Sequence, residues 1–169
     1  MRIFEAGQRL VEKHGVPMRH ETHRGRALFS APAALAFLKE IPSLEITADF
    51  SHWTCVHESD LSDQPDAFAA AMRAAGHLHA RVGFDEGPQI SDPRNPAHER
   101  WLTLFTTWWK RILQLREDEG REWFTITPEF GPEPYMPLSG SSPQPVGDAW
   151  EYNLWMRDHI RRELDLKTP

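Results

Sequence analysis

The stretch PDAFAAAMRAAGHLHARV, residues 65–82, decides the fold. Pro65 and Asp66 are first-turn residues, and the Ala-rich run over 66–75 reads as a helix that Gly76 ends. His77–Val82 then reads as a strand, so a helix feeds almost directly into a strand. The same alternation extends toward both termini. Before it, residues 2–14 place Ile3, Phe4, Gly7, Leu10 and Val11 on one helical face, and Gly15 is a stop. Val16–His20 reads as a strand that ends at Glu21. Ser30 caps a helix through Ala33–Glu40, with Pro32 in its first turn and Pro42 beyond its end. Leu44–Ala48 is a second strand leading into Asp49. After the central stretch, a Gly/Pro-rich loop covers 83–96, and residues 97–119 form the longest helix. Glu122–Thr127 is a fourth strand, 128–147 a second loop, and Asp148 with Glu151 resembles a capping box for a helix over 149–164. The pattern predicts an α/β fold of parallel βα units, about four strands and five helices, in one domain spanning 1–169.

Composition narrows the function classes. The 169 residues suffice for one self-supporting core, and 40% hydrophobic with 26% charged residues is an ordinary globular balance. No apolar run approaches the ~18 residues that a membrane helix needs. The net charge of −6, from 19 basic and 25 acidic residues, argues against a nucleic-acid partner. Cys55 is alone, which excludes an internal disulfide and a Cys-based zinc site. The amphipathic N-terminus carries Glu5 and Glu12, unlike a signal or transit peptide. A cytoplasmic setting, a small-molecule partner and no membrane partner are expected.

Parallel strands joined by right-handed crossovers end at one edge of the sheet. Four polar residues stand at the expected strand ends: Glu21, Asp49, His79 and Glu129. Three carboxylates and one imidazole form an oxygen/nitrogen set suited to Mn²⁺, Mg²⁺, Co²⁺ or Zn²⁺. Strand alternation puts His77, His79 and Arg81 on one face, so at least one of them can look into the same space as the carboxylates.

These residues resemble the second half of a xylose isomerase-like TIM barrel, the group of sugar phosphate isomerases and epimerases. In its ketose 3-epimerases the ligands run Glu, Asp within Asp-x-x-His, the second His of His-x-His, and Glu beside Pro and Phe. This chain offers Glu21, Asp49 with His52, His79 after His77, and Glu129 between Pro128 and Phe130, spaced by 28, 30 and 50 residues. The resemblance implies one divalent metal on Glu21, Asp49, His79 and Glu129. It also implies that Glu21 and Glu129 flank a substrate carbon and move its proton. The metal would polarise the neighbouring oxygens and stabilise the enediolate. By the same resemblance His52, Arg81 and Gln89 are substrate contacts, although the epimerase arginine lies farther past the histidine. The implied activity is a metal-dependent sugar or sugar-phosphate isomerisation or epimerisation.

Two other readings share these residues. One is a non-catalytic half-barrel or interaction module that retains the metal site. The other is an AP endonuclease-like phosphodiesterase, whose further Asp-x-His pair is missing from Asp85–His98. A complete barrel has eight strands where this chain supplies four. Its outer strands would therefore have open edges, which a homodimer could pair.

Overall fold

The computed structural model describes residues 2–166. In chain order it contains α1 (Arg2–His14), β1 (His20–Glu21), α2 (Ala31–Glu40), β2 (Ile46–Ala48), α3 (Ser51–His57), α4 (Pro65–Ala74) and β3 (Ala75–Ala80). A 3₁₀ turn (Pro96–His98), α5 (Glu99–Asp118), β4 (Thr125–Pro128) and α6 (Ala149–Glu163) follow. The four strands form one sheet in the order β1-β2-β3-β4, and every pair is parallel. Sequential parallel order is what repeated βα crossovers produce.

Local chemistry sets the element ends. The Ser30 hydroxyl accepts from the Ala33 N–H at the start of α2, and the Asp148 carboxylate accepts from the Trp150 and Glu151 N–H groups at the start of α6. Each cap satisfies donors that a first helical turn leaves free. The structure has one more helix than the sequence pattern predicts. α3 begins at Ser51, two residues past Asp49, and is too short for a helical period to stand out. It is held by Trp53, which is wholly buried and donates its indole N–H to the Leu28 carbonyl at 2.9 Å.

The strand bounds also shift. β3 starts at Ala75, so Gly76 lies inside the strand and does not end a helix. A Cβ at Gly76 would come within 2.2 Å of Arg19 Nε and 2.6 Å of Glu45 Oε2. Glycine there clears room for the Arg19–Glu45 ion pair, which spans 3.0 Å. β4 runs over Thr125–Pro128, three residues later than the reading at its start, because its register is set by β3: His77 faces Thr125 and Ala80 faces Pro128. β1 is confined to His20–Glu21, paired with Ile46 and Thr47.

The two faces of the sheet differ. Ile46, Ala48, Leu78 and Ala80 are fully buried and join one core with Phe50, Trp53, Phe68, Phe105, Trp108 and Trp109. The alternating positions are polar: Thr47, His77, His79, Thr125 and Thr127, the last two exposed. A polar second face explains how a parallel sheet with only one apolar side can meet water. None of the described helices is long and apolar enough to cross a membrane.

Candidate metal centre

Glu21 ends β1, Asp49 follows β2, His79 lies near the end of β3 and Glu129 follows β4. Each offers a ligand atom, and the four atoms all lie within 4.8 Å of one another. Ligands 2.0–2.6 Å from a shared cation span about this distance across it. His79 Nδ1 is central to the cluster. It lies 2.7 Å from Glu129 Oε2, 3.3 Å from Glu21 Oε1 and 3.9 Å from Asp49 Oδ2. It is buried and makes no hydrogen bond with acceptable angles to any partner. A buried ring nitrogen aimed between three carboxylates, yet aligned with none, fits a cation position.

Asp49 is held most firmly. Its carboxylate is fully buried. Oδ1 accepts from the Ser51 N–H and hydroxyl, while Oδ2 faces the cluster and accepts from Arg81 Nη2 at 2.7 Å. Its backbone is fixed too. Thr22 Oγ1 accepts from the Asp49 N–H at 2.8 Å and donates to the Asp49 carbonyl at 2.9 Å. Thr22 thereby extends the β1–β2 pairing to the ligand and ties Glu21, its neighbour, to Asp49. Gly83 completes the support, since a Cβ there would meet the Ser51 carbonyl at 2.7 Å. Glycine lets the exit of β3 pass against the start of α3.

Arg81 enters the site as an ion-pair partner. Its guanidinium is buried, and Nη2 reaches Glu129 Oε2 at 2.9 Å as well as Asp49. Continuing the β3–β4 register by one residue sets Arg81 opposite Glu129. The Tyr135 ring covers this guanidinium at 4.5 Å from its centroid. His52 is also fully buried. Its ring packs 3.9 Å from that of His23, its Nε2 lies 3.4 Å from Arg81 Nη2, and its Nδ1 has no partner. Gln89 is buried with both amide atoms on Gly131: it accepts from the Gly131 N–H at 2.7 Å and donates to the Gly131 carbonyl at 3.0 Å. These contacts make it a backbone clamp beside the site.

The electrostatics follow from burial and neighbours. Burial pushes Asp49 up, but Arg81, His52 and Ser51 outweigh it and hold the carboxyl below its usual range. Glu21 is lowered chiefly by its contact with His79. Burial would lower His79, yet Glu129, Glu21 and Asp49 together raise it to about 9. His52 goes the other way, since burial drives it down to about 4 against the pull of Asp49. One imidazole is thus a cation at neutral pH while its neighbour stays neutral.

Sequence reasoning reached the four donors and missed much of their support. Thr22, His23 and Tyr135 act here through contacts between distant segments, and Ser51 through its bonds to Asp49 two residues back. Only Thr22 and Ser51, as small hydroxyl residues beside Glu21 and Asp49, stood close enough in the chain to invite notice. A cavity of about 560 Å³, lined by Phe4, Val11, Met18 and Leu44 among others, lies under α1 and includes none of the four donors. No protein-family model, curated protein or solved structure matches the chain. The convergence of the four donor atoms stands on their own geometry.

Proposed function

We propose that this chain binds one divalent cation through Glu21, Asp49, His79 and Glu129, and that the site serves proton transfer next to the carbonyl of a sugar-like substrate. The observation that carries this reading is the convergence of four donor atoms within 4.8 Å from four separate strand ends. Bound there, Mn²⁺, Mg²⁺, Co²⁺ or Zn²⁺ supplies Lewis-acid polarisation of hydroxyl and carbonyl oxygens. Glu129 is the most open of the four, with its side chain 36% exposed, so it can reach a substrate C–H and accept its proton. Glu21, 23% exposed on the strand at the other edge of the sheet, exchanges a proton on the other side in this reading. Arg81 keeps Asp49 and Glu129 from repelling each other. His52, neutral and with Nδ1 unpaired, offers a hydrogen bond to a substrate oxygen once the His23 ring yields.

The test combines metal content with washout of substrate C–H into deuterated water. Glu129→Gln keeps most of the metal and loses exchange, because an amide oxygen can ligate but cannot accept the proton. Asp49→Ala loses metal and exchange together. His52→Ala keeps the metal and weakens turnover by roughly 1.5–3 kcal/mol, the worth of a hydrogen bond to a charged group. Loss of metal from His52→Ala as complete as from Asp49→Ala would refute this division of roles.

One observation favours a second reading. Arg81 and protonated His79 already set two positive charges among the carboxylates of Glu21, Asp49 and Glu129. On that reading the cluster is a self-sufficient ion-pair network in a non-catalytic module. A wild-type chain that exchanges no deuterium from any of a panel of ketoses, aldoses and their phosphates would favour it.

A further inference from the structure

The strand that carries Glu129 stops at Pro128, one residue before its ligand. Beyond that point no ladder hydrogen bonds hold the backbone, and β4 is an outer strand of the sheet. Two side-chain amides replace the ladder. Asn153, on α6, accepts from the Phe130 N–H at 2.6 Å and donates to the Phe130 carbonyl at 2.9 Å. Gln89, in the loop after β3, does the same for Gly131 at 2.7 and 3.0 Å. Consecutive residues after Glu129 therefore each have both backbone groups bound by one primary amide. A primary amide carries a donor and an acceptor side by side and so imitates a neighbouring strand.

The two clamps come from different parts of the fold. Ile90, next to Gln89, donates its N–H to the Val82 carbonyl at 2.9 Å, which ties Gln89 to the chain leaving β3. That chain carries His79 and Arg81, the two groups that touch Glu129. Asn153 ties the same peptide to α6, whose Tyr152 and Met156 are buried in the core. The Phe130 side chain is buried as well, with its ring 6.0 Å from that of Tyr152. The backbone after Glu129 is thus fixed from two directions while its carboxylate stays partly open.

We propose that Gln89 and Asn153 are positioning residues for Glu129, which set its carboxylate at the cation site by clamping the two residues that follow it. This inference rests on the metal site proposed above. Neither side chain contacts the cluster itself, so the effect passes through the backbone of residues 129–131. Loss of a supporting contact of this kind typically weakens metal binding by about 10–100-fold.

The experiment is a titration of the full chain with Co²⁺, read by its visible spectrum, alongside thermal denaturation. Wild type, Gln89→Ala, Asn153→Ala, Glu129→Ala and the two double variants with Glu129→Ala are compared. Ile160→Val, a core change on α6 away from Phe130, is the control for mere destabilisation. The expected result is that Gln89→Ala and Asn153→Ala each weaken Co²⁺ binding at least tenfold and alter its spectrum, while Ile160→Val lowers Tm alone. In the Glu129→Ala background the clamp substitutions should cost no further affinity, because what they position is gone. If an alanine variant fails to fold, Gln89→Glu and Asn153→Asp, which keep the acceptor and lose the donor, take its place. Clamp variants that bind Co²⁺ as wild type does and lose only Tm would overturn the positioning role alone. A wild-type chain that binds no Co²⁺ would overturn the metal site and this inference with it.

Discussion

Asp49 is the most demanding residue of the fold. A fully buried carboxylate costs several kcal/mol unless it is paired and hydrogen-bonded. Arg81, the Ser51 N–H and the Ser51 hydroxyl meet that demand, and Thr22 satisfies the backbone on either side. His79 is its counterpart, a half-buried imidazole raised to about 9 by the carboxylates around it. Above its ordinary value, such a group carries a proton at neutral pH, and a cation binding at Nδ1 must displace it. Metal affinity should therefore rise with pH from neutrality until about 9 and then level off. At pH 7 close to one proton should be released per cation bound. Calorimetry in buffers of differing ionisation enthalpy measures that proton directly. Binding independent of pH between 7 and 9 would mean that His79 is not protonated in the free site or is not a ligand.

At the scale of elements, the readable parts were those with strong local signals. Ser30 and Asp148 marked two helix starts that the structure keeps, each with its cap bonded. Alternation around His77 and His79 gave the strand that carries the only imidazole of the cluster. Three features escaped for physical reasons. α3, seven residues long, depends on Trp53 reaching Leu28 across 25 positions, a tertiary contact with no periodic trace. Gly76 looked like a helix stop, yet its missing side chain makes room for the Arg19–Glu45 pair crossing above it. Gln89 drew attention as a loop residue near the strand ends, but its amide turns to Gly131, 42 residues away. Four chemically capable residues at strand ends were legible because parallel topology alone brings such ends together. The clamps that hold them were not, since a side-chain amide bonded to a distant backbone leaves no pattern in the sequence.

For the whole molecule, the polar face of the sheet and its outer strands set the terms. Thr125, Thr127 and His77 make that face wettable, which removes one reason for aggregation. The outer edges of β1 and β4 still point their backbone groups away from the sheet. Val16 and Met18 stand exposed just before β1, and Trp123 stands exposed just before β4. A second copy of the chain, related by a two-fold axis, would bring the β1 side of one against the β4 side of the other. Light scattering at micromolar concentration is expected to give twice the mass of one chain, and a stable monomer would argue against that pairing. For the cation site the most direct measurement is anomalous scattering from crystals of the full chain grown with Mn²⁺. One strong peak per chain is expected, within about 2.0–2.6 Å of ligand atoms from Glu21, Asp49, His79 and Glu129, and no peak in Asp49→Ala. Density showing His79 and Arg81 still paired with the carboxylates, with no anomalous peak among them, would contradict a shared cation site.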